Sequence, residues 1–302
     1  MTLPADIDYS APVPPLAELP ASRAPWRLEA SRAALLVHDL QAYFLRPFAP
    51  ACPALELALA SIGRLLRAAR AAGMPVIYTA QAGDQEPGTR GLQGDLWGPG
   101  MTADPTDTAV VATLAPEPGD AVLAKHRYTA FAGNQLDDLL RERGRDQLVL
   151  TGVYAHIGIT ATAYDAFTRD VQPFVIADAV ADLGAEHHAR ALAQIAACTG
   201  VVTTTADVLA ALTPPTPPVD AGVPDGSDEV LRGILAGFLD PADVALAFAR
   251  PDSDLFGLGL DSLRAFDLLD QLADEGVQVD FAAFTVEPTV AFLSRQLPVP
   301  VP

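Results

Sequence analysis

The sequence predicts an α/β fold: a three-layer domain with a mainly parallel sheet, followed by a small helical bundle. Short apolar runs alternate with amphipathic stretches, a proline-rich segment begins near residue 213, and the residues after it are acidic and helical in pattern. The chain has 302 residues, 50% of them hydrophobic, which suits two domains and a sizeable core.

Six short apolar runs fit strands that are buried on both faces of a sheet. They lie at residues 33–37, 76–79, 121–124, 148–151, 174–177 and 201–204. Helical patterns separate several of these runs, at 55–72, 135–143, 157–169 and 186–198. Gly73 and Gly144 follow two of these patterns, where the C-terminus of a helix favours glycine. This alternation predicts a parallel sheet with a ligand site beyond the carboxyl ends of its strands.

The clearest domain boundary is the proline-rich segment 213–225. Proline fixes φ and lacks an N–H group, so this segment favours an extended, semi-rigid spacer. Residues 225–302 hold 14 acidic and 4 basic residues, whereas the rest of the chain holds 24 and 15. We therefore predict a first domain at 1–212, a linker at 213–225 and a second domain at 226–302. Amphipathic stretches at 229–239, 263–275 and 288–296 predict that the second domain is a bundle of three or four helices.

The composition argues against several classes of function. The net charge is −19, which repels phosphate backbones and anionic lipid heads, so neither nucleic-acid binding nor membrane binding is expected. The two cysteines, Cys52 and Cys198, have no metal-binding spacing, and the histidines have no partners at ligand spacing, so no metal is expected. With no disulfide framework and no signal peptide indicated, the sequence predicts a cytoplasmic protein.

Four polar residues follow the predicted strands directly: Asp39, Gln81, Lys125 and Tyr154. Because the carboxyl ends of parallel strands meet at one edge of a sheet, we expect these side chains to converge. A carboxylate and an ammonium group that lie close together tune each other's protonation, which suits acid–base chemistry. Taken alone, Asp39 could equally be a helix N-cap, and Lys125 could be a solvated lysine at a strand end.

Several motifs resemble the isochorismatase-like hydrolases and occur in the order that this family has them. They are LVHDLQAYF at 36–44, YTAQ at 78–81, DLWGPG at 95–100, KHRY at 125–128, GVYAHIG at 152–158 and DAF at 165–167. The resemblance extends over roughly residues 25–212 and is nearest to the isochorismatases of catechol-siderophore pathways and the related phenazine-pathway hydrolase. It implies an isochorismatase-like, Rossmann-like fold. Because relatives often self-associate, it also implies a homo-oligomer formed through this domain.

The same resemblance implies roles for individual residues. Asp39 corresponds to the catalytic acid that protonates the enolpyruvyl group of the substrate, and Lys125 lies beside it. The residues that correspond to substrate-binding positions are Gln81, Arg90, Trp97, Tyr154 and Gly158. Asp39 must be protonated when substrate is bound; burial and the substrate carboxylates raise its pKa whereas Lys125 lowers it, so the balance stays open. Arg90 could instead be a solvated loop residue, and Trp97 could be a packing residue.

Two positions depart from the family pattern. Ile159 stands where the related amidases need a cysteine nucleophile, which disfavours cysteine hydrolase chemistry but not vinyl-ether hydrolysis. His126 stands where relatives usually have tryptophan. This departure leaves open both the shape of the pocket wall and the identity of the substrate.

The segment DLFGLGLDSL at 254–263 resembles the phosphopantetheine attachment motif of carrier proteins, within a resemblance that covers roughly residues 226–297. It implies that Ser262 carries covalent 4'-phosphopantetheine as a cofactor. A serine at a helix start is exposed, and the N–H groups there favour a phosphate. Taken alone, Ser262 could be only a helix N-cap. The position of this module after a hydrolase indicates an aryl carrier domain of a nonribosomal peptide pathway.

Together the two resemblances imply a bifunctional protein. It would hydrolyse isochorismate to 2,3-dihydro-2,3-dihydroxybenzoate and pyruvate, and it would carry an activated aryl acid as a thioester on Ser262. The expected partners are a phosphopantetheinyl transferase, an aryl-acid adenylating ligase and the condensation domain of a nonribosomal peptide synthetase. Two alternatives stay open: hydrolysis of 2-amino-2-deoxyisochorismate to a dihydro-hydroxyanthranilate, and an inactive hydrolase domain that serves as a carrier scaffold.

Overall fold

The computed structural model describes residues 4–10, 19–212, 226–260, 262–274 and 277–296. The chain divides into two compact units, Met1–Pro215 and Thr216–Pro302. The predicted linker at 213–225 lies outside the described residues, so the predicted domain limits stay predictions.

The first unit is built on a six-stranded sheet in which all neighbouring strands are parallel. Its strands are β1 (Ala33–His38), β2 (Val76–Ala80), β3 (Ala121–Ala124), β4 (Gln147–Val153), β5 (Gln172–Ala181) and β6 (Val201–Thr203). The predicted strands and the parallel sheet are confirmed. The spatial order is β3-β2-β1-β4-β5-β6, so the direction of winding reverses between β1 and β4. Sheets of this kind bind ligands at the carboxyl ends of the strands beside such a reversal.

Helices accompany the sheet along the first unit. They are α1 (Ala42–Leu45), α2 (Pro53–Ala71), α3 (Pro87–Arg90), α4 (Leu92–Trp97), α5 (Pro105–Thr108), α6 (Leu136–Glu142), α7 (Thr160–Thr168), α8 (Ala185–Cys198) and α9 (Thr205–Leu212). Side chains of α2 and α9 belong to the core on one face of the sheet, and those of α6, α7 and α8 belong to the core on the other. The three predicted layers are therefore present.

The central strand β1 is continuously apolar because its side chains pack into the cores on both faces of the sheet. Leu35 and Val37 belong to one core and Ala34 and Leu36 to the other, because successive side chains of a strand point to opposite faces. Every residue of β1 is buried. The end of β1 is also close to β4, since a Cβ atom added to Gly152 would lie 2.1 Å from the His38 carbonyl oxygen.

The predicted helices agree with α2, α6 and α8, and Gly73 and Gly144 follow the first two with φ angles of 66° and 61°. The helix predicted at 157–169 differs, because it starts as a π-helical turn (Ala155–Ile159) before α7. The helices α1, α3, α4, α5 and α9 were not predicted. The first four have only four to six residues each, which is too short to establish a hydrophobic period, and α9 has eight.

The secondary structure in the described part of the second unit is helical, as predicted, but it comprises five helices where three or four were predicted. Its helices are α10 (Gly226–Leu235), α11 (Pro241–Ala249), α12 (Ser262–Asp274), α13 (Phe281–Val286) and α14 (Val290–Gln296). The predicted stretches correspond to α10, α12 and α14. The helix α11 is apolar along most of its length and α13 has only six residues, so neither shows a clear period. In the part of the chain that the structure describes, no helix is both long and apolar enough to cross a membrane.

Candidate active site

The polar residues predicted at the strand ends meet in one pocket. Asp39, Gln81, Lys125 and Tyr154 directly follow β1, β2, β3 and β4, and all four line the pocket. The pocket also includes the other three hydrolase residues that the family resemblance implies: Arg90, Trp97 and Gly158. The structure thus brings together every predicted site residue of the first unit.

Asp39 and Lys125 form a buried ion pair in this pocket. Lys125 Nζ lies 2.8 Å from Asp39 Oδ2, and the two residues are only 2% and 4% exposed. The residue that caps the following helix α1 is Gln41 rather than Asp39. The alternative interpretations, a helix cap for Asp39 and a solvated Lys125, are therefore wrong.

Three side chains donate hydrogen bonds to the Asp39 carboxylate. Lys125 Nζ donates to Oδ2 at 2.8 Å, Gln81 Nε2 donates to Oδ2 at 3.4 Å, and Thr79 Oγ1 donates to Oδ1 at 2.8 Å. Thr79 reaches this position because it pairs with His38 between β1 and β2, one residue before Asp39. An ionised carboxylate only accepts hydrogen bonds, so three donors favour the charged form.

These contacts determine the protonation of Asp39. Burial raises the pKa of its carboxyl group, but the charge of Lys125 and the hydrogen bonds from Lys125 and Thr79 outweigh burial, so the pKa is lowered from its usual value. Asp39 is therefore ionised at neutral pH when the pocket holds no substrate. The sequence leaves open whether burial or Lys125 dominates the pKa of Asp39; without substrate, Lys125 and Thr79 together outweigh burial and the carboxylate is the stable form.

The imidazole ring of His38 lies beside the ion pair and lines the pocket. Its Nδ1 is 2.9 Å from the Val153 carbonyl oxygen and 3.7 Å from Asp39 Oδ2. Burial lowers the pKa of His38, so the ring is neutral at pH 7 and Nδ1 donates to the carbonyl. A Cβ atom added to Gly158 would lie 2.2 Å from His38 Cε1, so only glycine allows the π-helical turn to approach the ring this closely.

Arg90 and Trp97 belong to the wall of the pocket. Arg90 is 7% exposed, and its Nε donates to the Gly98 carbonyl oxygen at 2.5 Å. Its guanidinium group packs against Gly100, where an added Cβ atom would lie 2.6 Å from Nη1. Trp97 Nε1 donates to the Tyr128 hydroxyl at 2.7 Å. Arg90 is therefore a buried residue and not the solvated loop arginine of the alternative interpretation.

Tyr154 is an anchored part of the wall. Its hydroxyl donates to the Phe44 carbonyl oxygen at 2.6 Å, and its ring stacks on Phe48 with the centroids 6.2 Å apart. Burial raises the pKa of Tyr154, so the phenol keeps its proton at neutral pH. The residue is therefore a neutral phenol in the wall of the pocket.

Seven lining residues were not predicted: His38, Tyr43, Phe44, Gln93, Tyr128, Val153 and Ile157. Six of them lie inside the motifs at 36–44, 125–128 and 152–158, so the motifs themselves were the available signal. Gln93 lies in the short helix α4, outside every motif. The two departures from the family pattern do not line the pocket: Ile159 is packed in the core and His126 lies outside the lining.

The predicted attachment residue of the second unit, Ser262, is the first residue of the 13-residue helix α12. The turn before it is anchored by the buried side chains of Leu255 and Leu260, and Gly259 has a φ of 99°, which favours glycine. The N–H groups at the start of a helix favour a phosphate, so this position fits covalent phosphopantetheine. The side chain of Ser262 and all of Asp261 lie outside the described residues, and attachment at Ser262 stays a prediction.

Within the described ranges, no three or more His, Cys, Asp and Glu side chains are grouped as a metal ion would require. Cys52 and Cys198 are both free thiols, the first buried and the second exposed. The expectation that the chemistry needs no metal stays a prediction.

Comparison with known families finds two matches along the chain. A family model described as an isochorismatase domain matches residues 33–207. A model described as a phosphopantetheine attachment site matches residues 229–297. The first match contains the whole lining of the pocket, and the second contains α12.

Known relatives include proteins that match over nearly the whole chain. Enterobactin synthase component B of Escherichia coli strain K12 is 38% identical over 284 residues, which cover 93% of this chain and 94% of that protein. The isochorismatase of Bacillus subtilis strain 168 is 37% identical over 299 residues, 96% of this chain and 93% of that protein. Phenazine biosynthesis protein PhzD1 of Pseudomonas aeruginosa is 48% identical over 198 residues, 66% of this chain and 95% of that protein.

Proposed function

The chain belongs to the isochorismatase family, and we propose that it is a bifunctional enzyme and carrier. It hydrolyses the enolpyruvyl vinyl ether of isochorismate to 2,3-dihydro-2,3-dihydroxybenzoate and pyruvate. It also carries an activated aryl acid as a thioester on phosphopantetheine at Ser262, a role supported by the match at residues 229–297. The buried pair of Asp39 and Lys125 carries the proposal for the hydrolase and argues against an inactive scaffold.

The reaction needs a positioned acid and no protein nucleophile. Asp39 gives a proton to the terminal methylene carbon of the enolpyruvyl group, and the carbon that bears the ether oxygen becomes oxocarbenium-like. Water adds to that carbon and returns a proton to Asp39. The hemiketal then collapses. The bond between this carbon and the ether oxygen breaks, and the hydroxyl proton of the hemiketal moves to that oxygen, which stays on the ring as a hydroxyl group. Pyruvate leaves.

Substrate binding supplies the protonated acid in this mechanism. Without substrate, Lys125 and Thr79 stabilise the charged carboxylate of Asp39. The two carboxylates of isochorismate bring negative charge into the pocket and compete for Lys125, and both effects raise the pKa of Asp39. Binding is therefore coupled to the uptake of a proton, and Asp39 becomes an acid only when there is a vinyl ether to protonate.

The walls of the pocket suit an anionic ring. Arg90 uses its Nε for the Gly98 carbonyl, and its terminal nitrogens form the fork that pairs well with a substrate carboxylate. Trp97 and Tyr154 present aromatic surface to the ring. Gln81 holds the Asp39 carboxylate from the pocket side, and Gly158 leaves room for His38.

The aminated analogue, 2-amino-2-deoxyisochorismate, is the second candidate substrate. The 48% identity to a phenazine biosynthesis protein favours it. Pyruvate release by the purified full chain, measured with each substrate, distinguishes the two. A higher kcat/KM for isochorismate supports the main proposal, and turnover of the analogue alone assigns the enzyme to an aminated-aryl pathway. Release from neither substrate contradicts the enzymatic proposal.

The carrier role requires partners, which we propose by chemical class. A phosphopantetheinyl transferase modifies Ser262, an aryl-acid adenylating ligase loads the thiol, and the condensation domain of a nonribosomal peptide synthetase consumes the thioester in catechol-siderophore synthesis. The acidic charge of the second unit favours docking of basic partner surfaces. A cytoplasmic location is part of the proposal, in keeping with two free thiols. Intact mass after incubation with a transferase and coenzyme A tests the first step.

Self-association through the first unit is also part of the proposal. Leu92 and Leu96 on α4 are 81% and 54% exposed, and a second copy of this unit would cover such apolar side chains. Light scattering coupled to size-exclusion chromatography measures the mass in solution. We expect an oligomer, and we expect the double variant L92E/L96E to be a monomer; a monomeric native protein would contradict the proposal.

A further inference from the structure

The two oxygen atoms of the Asp39 carboxylate have different surroundings. Oδ2 accepts from Lys125 and Gln81, which both line the pocket. Oδ1 accepts from Thr79 at 2.8 Å. Thr79 is 0% exposed and lies outside the lining of the pocket, inside the sheet. The carboxylate thus presents Oδ2 to the substrate side and Oδ1 to the protein interior.

A second contact favours one orientation of the Thr79 hydroxyl. The backbone N–H of Asp39 donates to Thr79 Oγ1 at 3.3 Å and shares its hydrogen with the Thr79 carbonyl oxygen, also at 3.3 Å. A hydroxyl group has a single hydrogen and accepts through its lone pairs, so the Thr79 hydrogen is the one directed at Oδ1. A proton on Oδ1 would meet this hydrogen and force it towards another acceptor in a fully buried site, which is costly.

We infer that Thr79 is a positioning residue that keeps Oδ1 of Asp39 unprotonated and so directs the catalytic proton to Oδ2, the oxygen that faces the substrate. This inference rests on the proposed role of Asp39 as the acid. When the substrate draws Lys125 away from Oδ2, that oxygen keeps only the long 3.4 Å contact from Gln81, so it accepts a proton more readily than Oδ1, to which Thr79 donates at 2.8 Å. Thr79 continues to donate to Oδ1 and holds the carboxyl plane in position for transfer.

The variant T79V tests this inference because valine keeps the shape of threonine and removes the donor. We expect kcat to fall about tenfold, because most of the proton then resides on Oδ1 and the carboxyl plane is no longer held in position for transfer, with KM within about twofold of its native value. We also expect the alkaline limb of the kcat profile to move up by about one pH unit, because the lost hydrogen bond stabilised the ionised carboxylate. T79S keeps the hydroxyl and should restore both kcat and the pH profile.

Thr151 offers a matched control. It is 0% exposed in β4, the other neighbour of β1, and its hydroxyl donates to the Leu36 carbonyl oxygen at 2.9 Å. T151V therefore removes a buried hydroxyl of the same kind without touching Asp39, and it should leave the pH profile unchanged. If T79V and T151V give the same profile, the inference is overturned. If T79V does not fold by circular dichroism, T79A replaces it and must show the same displaced limb.

The variant D39N separates this inference from the proposed function. If D39N still releases pyruvate at the native rate, Asp39 is not the acid, and both the proposal and the inference fail. If D39N is inactive while T79V behaves like T151V, only the inference about Thr79 fails. If D39N is inactive and T79V shows the displaced limb, both stand.

Discussion

Asp39 is charged in the pocket without substrate but must carry a proton in the proposed reaction. This difference determines how kcat/KM depends on pH. Since the pKa of Asp39 is lowered in the free protein, the protonated fraction falls tenfold for each pH unit in the neutral range. We expect log kcat/KM for pyruvate release to fall with a slope near −1 between about pH 6 and pH 8, and kcat to stay level over more of that range. Steady-state kinetics at constant ionic strength provides the measurement. A kcat/KM that does not change with pH would contradict proton uptake on binding.

Replacing Gly158 tests whether its close contact with His38 matters for activity. The added methyl group of G158A would lie 2.2 Å from His38 Cε1, so either the π-helical turn or the imidazole ring must move. We expect kcat/KM to fall by about 100-fold and the free energy of unfolding to fall by about 1–3 kcal/mol. The control is G94A, since a Cβ atom at Gly94 would meet nothing within 4 Å. Native kinetics for G158A, measured beside thermal unfolding, would show that the close approach does not matter.

At the scale of residues, the family resemblance predicted seven of the fourteen residues that line the pocket, but not the contacts that hold them. Arg90 owes its burial to Gly98 and Gly100, and the backbone path that brings these glycines back to the arginine is not encoded in any local pattern. The balance of charge at Asp39 depends on distances of 2.8 Å to Lys125 and Thr79. Such distances follow from strand register, which the apolar runs alone do not specify.

At the scale of elements, Asp182 fixes the turn that supplies Gly158 to the pocket. Asp182 follows β5, is 0% exposed, and accepts from the backbone N–H groups of His156 and Leu183 at 2.7 Å each. Its Oδ1 also lies 2.5 Å from His156 Nδ1. The carboxylate therefore ties the start of the π-helical turn to the end of the neighbouring strand.

We expect D182N to loosen this turn. An amide has one acceptor oxygen in place of two, so at least one buried donor loses its partner, at a cost of about 1–3 kcal/mol in the free energy of unfolding. KM should rise more than kcat falls, because the turn shapes the pocket and does not supply the acid. Thermal unfolding and steady-state kinetics measure the two effects. The control D138N changes an exposed carboxylate that pairs with Arg141, and equal effects of D182N and D138N would refute the role of Asp182.

Strand limits show what an apolar pattern can and cannot predict. The run at 174–177 predicted the first part of β5, which in fact extends to Ala181. Asp178 interrupts the apolar run, yet it stays in the strand because Ser61 and the backbone N–H of Thr205 donate to its carboxylate at 3.2 and 2.7 Å. These donors come from α2 and the start of α9, remote in sequence, so no local pattern could reveal them.

At the scale of the whole molecule, the two proposed activities share no residue. The pocket is lined by residues between His38 and Gly158, whereas the proposed attachment residue Ser262 begins α12 in the other unit. We therefore expect S262A to keep kcat/KM for pyruvate release within about twofold and to gain no phosphopantetheine. Intact mass spectrometry and the pyruvate assay measure both outcomes on one preparation. S253A is the matched serine control and should be modified normally; modification of S262A would place the attachment elsewhere.

In the proposed mechanism, Asp39 delivers the proton that starts vinyl-ether hydrolysis. Single-turnover release of pyruvate from isochorismate, compared between the native chain and D39N, tests it most directly, because an amide of nearly the same shape cannot serve as the acid. We expect a rate lower by about 1,000-fold for D39N, with an unchanged circular dichroism spectrum and normal phosphopantetheine loading. A D39N rate within about tenfold of the native rate would contradict it.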